Sequence, residues 1–419
     1  GDRAPSIDLR GLIRAGDTVL WGQGPAEPRT LTQALYDQQE ELGPLTGVVG
    51  TILSDLGRDQ LRTIRLKGFI GMGPAGRLLA TGELDIVPCT VSDIPRLIER
   101  RLLAVDVALV QVSLPDERGR HSLGLAGDYL REAMAAARVT IAEVNPAVPF
   151  TLGDSLVDGS EFTAVVAGEH PPIEVPVRPH TPAQAALAVH AAGLIPDGAV
   201  IQIGIGETPD AILDALREKA DLGVHSGMIT DRVAELMRAG VITNLQKPID
   251  RGVTVTGTLF GTADGLYAFA DRNPRIALRP VSYTHDFAVL RRIPRFTAIN
   301  SAVEVDLTGQ INTELVDRRY VGAIGGQLDF ARGALAAPEG RSLVALASTA
   351  GAGERSRIVE RLGGGVVTTP RSCADAVITE FGVAELRGRT LRERARSLAA
   401  IAHPAHREQL AAAARAMPG

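Results

Sequence analysis

Two cysteines in 419 residues, Cys89 and Cys373, are too few for a disulfide framework or a zinc cluster. Aromatic residues make up only 4%, with a single tryptophan, and charge of neither sign dominates: 44 basic against 49 acidic residues leave −5. A surface built to hold polyanionic nucleic acid is not expected from such a chain. No run of the roughly 18 apolar residues that span a bilayer occurs, and no basic–apolar–small leader opens the sequence. A soluble cytoplasmic protein without membrane partners is therefore expected. The eight histidines show neither HxxxH nor HExxH spacing, which argues against metal catalysis, and no GxSxG elbow is present.

What the chain does have is 45% hydrophobic content over a length that suits two domains. Short β-branched or apolar runs alternate with helical patterns: Thr18–Trp21, Gly47–Ile52, Ala104–Val112, Val139–Val144, Val200–Ile203, Leu343–Ala347, Val366–Thr369 and Val377–Thr379. Runs of this kind, bounded by Gly or Pro, indicate open parallel or mixed α/β sheets. The stretch from Pro171 to Pro182 carries prolines at 171, 172, 176, 179 and 182 and resists both helix and central strand. It marks the expected boundary between domains 1–178 and 179–419. The halves echo each other: Gly16-Asp17-Thr18-Val19-Leu20-Trp21-Gly22-Gln23-Gly24 is answered by Asp197-Gly198-Ala199-Val200-Ile201-Gln202-Ile203-Gly204. Two related open α/β domains from a tandem duplication are expected.

Three segments attract attention as sites. Gly71-Met72-Gly73-Pro74-Ala75-Gly76 fits GxGxxG, but Pro74 sits where the turn should enter a helix, and Asp93 reads as an N-cap. No nicotinamide site is expected there. Gly204-Ile205-Gly206 directly follows the buried run Val200–Ile203 and precedes Glu207-Thr208-Pro209. Glycines there let a ligand approach the backbone, and a helix start offers free N–H groups suited to a thioester oxygen or a phosphate. A tight turn with no ligand explains the same residues equally well. Val321-Gly322-Ala323-Ile324-Gly325-Gly326 is a second glycine-rich loop. Among the histidines, His403 reads as a cap, and His225 and His285 are isolated.

Taken together the segments resemble the single-chain acetyl-CoA hydrolase/transferase family, class I CoA-transferases of the 4-hydroxybutyrate and butyrate type. The resemblance rests on Asp106–Ser113, Ile141–Pro146, Gln202–Gly206, Ala298–Gln310, Gly325–Gln327, Ser356–Val359, Val367–Arg371, Thr379–Gly382 and Ile401–Pro404. It implies a class I CoA-transferase fold (NagB/RpiA-like) in both domains, usually in a homodimer. It also implies coenzyme A or acyl-CoA as substrate with an acceptor, and no metal. The C-terminal domain would carry most of the CoA site. Gln202, Gly204, Ile205, Gly206, Glu207 and Thr208 would line its thioester end, Gly322, Gly325 and Gly326 the pantetheine arm with Ala302 alongside, and Arg355 and Arg357 the phosphates.

The family reaction uses a glutamate that follows a His-Ser or His-Thr pair, attacks the acyl-CoA, and carries CoA as a glutamyl thioester. In His225-Ser226-Gly227-Met228 that position is Gly227, which has no side chain. In Tyr283-Thr284-His285-Asp286, His285 stands where the family's active-site asparagine is expected. The expected mechanism is therefore direct attack on the thioester for hydrolysis or acyl transfer. His285 would activate the nucleophile, helped by His225 or Ser226. Conventional CoA transfer to a carboxylate and CoA-ester binding without chemistry are the alternatives.

Overall fold

The computed structural model describes residues 7–56, 60–350, 353 and 355–417, and the chain divides into two compact units. One comprises residues 1–175 and 256–283, the other 176–255 and 284–419.

The first unit is built on seven parallel strands: β1 (Thr18–Trp21), β2 (Leu45–Val49), β3 (Ile64–Gly68), β4 (Leu84–Ile86), β5 (Val107–Val112), β6 (Val139–Val144) and β7 (Ala164–Ala167). They lie in the order β7-β6-β5-β1-β2-β3-β4. Every residue of β5 is buried, as a strand covered on both faces of a parallel sheet requires. Helix α1 (Arg29–Leu42) follows β1, and its N-cap, Pro28, makes no side-chain cap. The buried Glu143 of β6 supplies one instead, accepting from the amides of Thr30 (2.9 Å) and Leu31 (3.1 Å). Burial pushes the Glu143 carboxyl up to about 7.

The segment 256–283 falls in this first unit, where the boundary expected from the Pro-rich stretch assigns it to 179–419. Its ties are specific: Thr258 Oγ1 donates to Asp128 (2.7 Å), and Tyr267 donates to the carbonyl of Ile173 (2.8 Å). Composition gives no sign of this return, because the strand Thr254–Thr256 runs straight through the crossing.

The second unit holds β8 (Val200–Ile203), β9 (Gly223–Val224), β10 (Phe296–Ser301), β11 (Arg341–Ala345), β12 (Ala376–Thr379) and β13 (Gly382–Glu385). Their order is β9-β8-β10-β11-β12-β13, parallel except for the antiparallel edge pair β12–β13. Crossovers leave β8 toward β9 on one side and continue from β10 on the other. The carboxyl ends of β8 and β10 therefore flank a topological switch point, where open α/β sheets bind ligands. Helix α2 (Pro182–Gly193) starts on a Thr181–Gln184 capping box, and α3 (Glu207–Ala215) follows β8. Helix α4 (Gln327–Ala336) packs on β10 and β11. Helices α5 (Leu391–Ala400) and α6 (Pro404–Arg415) close a separate apolar cluster around Val344, Val377 and Leu398. His403 is the N-cap of α6, its ring accepting from the Ala405 amide (3.3 Å). Val366–Thr369 is not a strand: only Thr369 forms a single bridge, to Ile311, and Val367 is exposed. No helix among the described residues is long and apolar enough to cross a membrane.

Candidate active site

The buried strand β8 ends on Gly204-Ile205-Gly206, which turns into α3. Gly206 is the N-cap of α3 with φ of 115°, a conformation that L side chains rarely adopt. A Cβ on Gly206 would meet nothing within 4 Å, and one on Gly204 only Pro209 Cγ at 4.0 Å. The turn thus borders open space, with the first N–H groups of α3 beside it. Glu207 is held by Gln184 (3.0 Å), while Ile205 and Thr208 are half-buried. Gln202 is buried, and its amide exchanges two long hydrogen bonds, 3.3 Å each, with Asn300 on β10.

The run after β9 is fixed mainly through its backbone. The His225 amide donates to Ile201 (3.1 Å) and the Ser226 amide to Val255 (3.0 Å). Ser226 Oγ donates to the Ile203 carbonyl (3.0 Å) and lies 3.3 Å from the Ile203 amide, so its hydroxyl clasps the end of β8. Lys247, also buried, donates from Nζ to Val224 (3.0 Å) and Val253 (2.6 Å) and braces the same stretch. His225 has no exposed surface, stands edge-on to Phe296, and makes a 3.1 Å hydrogen bond from Nε2 to the Thr284 carbonyl. A carbonyl only accepts, so this bond places the proton on Nε2. His225 and Ser226 thus act locally as braces, one on the segment carrying His285 and the other on β8.

His285 is buried, with Nδ1 2.8 Å from Thr284 Oγ1 and its ring 4.4 Å from that of Phe330. A Cβ on Gly227 would lie 2.8 Å from His285 Cε1 and 3.0 Å from Nε2. A Cβ on Gly326 would come within 2.5 Å of Nε2 and 2.7 Å of Cδ2. The imidazole therefore fills the volume that a side chain at 227 or 326 needs. Burial pushes the His285 pKa down to about 3, so the ring is neutral across the physiological range.

The remaining candidates separate. A Cβ on Gly322 would run into the carbonyl of Thr313, and Ala302 belongs to an apolar cluster with Val305 and Ile311. Packing within the unit accounts for both. Gly322→Ala should lower the melting temperature by several degrees, since overpacking typically costs about 1–3 kcal/mol, and a thermal scan checks it. Gly325 has φ of 60° and open space above its Cα. Arg355 is exposed and paired with Asp317 (2.7 Å). Arg357 is half-buried; burial first, then Arg355 beside it, lowers its pKa, against an opposing contribution from Glu380. Thr284, Asn300 and Phe330 complete the surroundings without having stood out in the sequence. Asn300 had a signal in the alternation Phe296, Ala298, Asn300, an apolar face ending in an amide at a strand terminus.

Comparisons with known proteins bear on the family and the fold. Residues 6–177 match the acetyl-CoA hydrolase/transferase N-terminal domain, and residues 261–414 match the C-terminal domain of the same family. The chain is 43% identical to the 4-hydroxybutyrate coenzyme A transferase of Clostridium kluyveri over 79% of its own length and 77% of that protein's. Its structure matches RipA from Yersinia pestis with a TM-score of 0.91 at 33% identity, covering 97% of this chain and 95% of that one. It also matches the 4-hydroxybutyrate CoA-transferase of Porphyromonas gingivalis with a TM-score of 0.81 at 36% identity, covering 96% and 94%. Two α/β units on largely parallel sheets, the second with a switch-point turn bordering open space, matched by both family domains, make this chain a member of the acetyl-CoA hydrolase/transferase family.

Proposed function

We propose that the protein acts on an acyl-CoA thioester without a carboxylate nucleophile at position 227, by direct attack of a bound acceptor on the thioester carbonyl. The observation carrying this reading is the placement of the His285 ring against Gly227, 2.8 Å from where a Cβ would stand. A glutamate side chain and this imidazole cannot share the space. The thioester lies by the Gly204–Gly206 turn, where the N–H groups at the start of α3 suit a developing oxyanion. The acceptor, water or an alcohol or amine, forms a bond to the carbonyl carbon. Its proton passes to Nε2 of His285, the C–S bond breaks, and the proton returns to the departing CoA sulfur. A neutral buried base gains its positive charge only while negative charge develops beside it, which reduces the desolvation cost.

The test is a panel of acyl-CoAs with water, amine, alcohol and carboxylate acceptors, run on the parent and on His285→Ala. A loss of about 100-fold or more in kcat for His285→Ala is expected. Unchanged turnover of every accepted ester would remove His285 from the chemistry.

One observation favours a second reading: the relatives matched over most of the chain are named CoA-transferases. In that case the acceptor carboxylate itself attacks the thioester, releasing CoA thiolate and a mixed anhydride, and the thiolate then attacks the other carbonyl. No enzyme ester forms, so this route gives ternary-complex rather than ping-pong kinetics. Borohydride trapping of a reduced enzyme residue would exclude both routes.

A further inference from the structure

A buried amide next to Gly326 takes no part in that chemistry. Gln327, the first residue of α4, is 8% exposed, and its Nε2 is buried with no hydrogen-bond partner among the described residues. An unsatisfied buried amide costs on the order of 1–3 kcal/mol, so a partner is expected to arrive from elsewhere.

Its neighbourhood can be placed from the register. The Arg295 amide donates to the Pro338 carbonyl (2.7 Å), pinning the end of α4 to the start of β10. Pro338 lies just past the helix, and Gln327 stands nine helical residues back from Ala336, about 14 Å. That distance matches about four residues of strand and brings Gln327 near the level of Ile299 and Asn300. Val200, Phe296, Ala298, Phe330 and Ala334 form one apolar cluster, so these strand residues face α4. Side chains alternate along strands, so Gln202 and Asn300 face α4 too. These two hold each other only through 3.3 Å bonds. Gly325 leaves open space just before the helix start, and His285 lies against Gly326, the N-cap of α4.

We infer that Gln327, with Gln202 and Asn300, forms an amide-lined site that donates hydrogen bonds to a carbonyl or hydroxyl oxygen of the acyl group. The inference rests on the acyl-CoA reading and adds a binding residue to it. Two sources share this chemistry: the thioester carbonyl itself and an oxygen farther along the acyl chain. An uncharged amide donor suits either without requiring a carboxylate.

Calorimetric titration with three stable ligands distinguishes the sources. These are the ketone analogue of butyryl-CoA in which methylene replaces sulfur, its 4-hydroxy counterpart, and the butyl thioether of CoA, which has no carbonyl. Gln327→Met is expected to weaken binding about tenfold or more for ligands carrying the oxygen, with the thioether unaffected. Loss for both ketones points to the thioester carbonyl, and loss for the 4-hydroxy ligand alone to the distal oxygen. Equal loss for all three, or none, overturns the inference. If Gln327→Met does not fold, Gln327→Glu keeps the shape and should show the same ligand pattern; failure of both to fold assigns Gln327 to structure and overturns the inference as well. A parent protein that binds none of the three would defeat the acyl-CoA reading itself, whereas a binding parent with an indifferent Gln327→Met defeats this inference alone.

Discussion

Gly227→Glu on its own is expected to destabilise the protein by about 2–4 kcal/mol and to leave it without conventional CoA transfer. The new Cβ would stand 2.8 Å from Cε1 of a ring already packed against Phe330 and Gly326, so one of them must shift. The carboxylate would also be buried beside a neutral ring rather than a cation. Combining the change with His285→Ala removes the obstruction, and the double variant should be more stable than Gly227→Glu alone. A coupling of about 1–3 kcal/mol in a denaturant-based double-mutant cycle is expected for residues in such contact. Incubated with acyl-CoA, the double variant should also gain a CoA adduct in intact-mass spectra that the parent lacks. If Gly227→Glu unfolds at the same denaturant concentration as the parent, the proposed exclusion between the two positions is wrong.

Acid should weaken the protein through His285, and alkali through a different set of groups. The His285 pKa is lowered from 6.5 to about 3 by burial. Its contribution is therefore fully present above pH 6.5 and is lost as pH falls toward 3, at up to about 1.4 kcal/mol per pH unit. Glu143 is raised from 4.5 to about 7, and Asp128 from 3.8 to about 6, both mainly by burial. For these the sign reverses: stability is full below the ordinary carboxyl pKa and declines as pH rises through 6 to 7. Differences between variants isolate each group. Relative to the parent, His285→Asn should gain as pH falls from 6.5 to 4, and Glu143→Gln should gain as pH rises from 5 to 8. Activity should show no ionisation near 6.5, because the ring is already neutral there; a bell-shaped kcat/KM limb at that pH would mean that His285 is solvated in the working enzyme.

The sequence reveals the fold where strands are short, buried and bounded by breakers. Thr18–Trp21, Val139–Val144 and Val200–Ile203 stand where periodicity places them, and Val377–Thr379 is a residue short of the observed strand. Val366–Thr369 departs from this pattern, since two β-branched pairs suggest a strand but find no neighbouring backbone beyond one bridge. The absence of a side chain at 227 was legible, and so was the histidine at 285. Their contact was not, because the chain between the two positions passes through residues 256–283 of the first unit, and only the folded chain brings ring against backbone. The same applies to the glycines at 322 and 326. They resemble residues kept bare for a ligand, yet Thr313 and His285 already stand where their Cβ atoms would be. Gln327 was hidden for the opposite reason, since an amide opening a helix gives no hint in sequence that it lacks a partner.

The return of residues 256–283 to the first unit has a practical consequence for anyone exchanging parts between relatives. A chimera joined once, at the Pro-rich stretch, would carry Thr258 from one parent and Asp128 from the other, and would split a buried hydrogen bond across two ancestries. Swapping the first unit intact takes three junctions, after Val175, Val255 and Tyr283. Modularity in this chain is therefore a property of the folded object and not of its linear order.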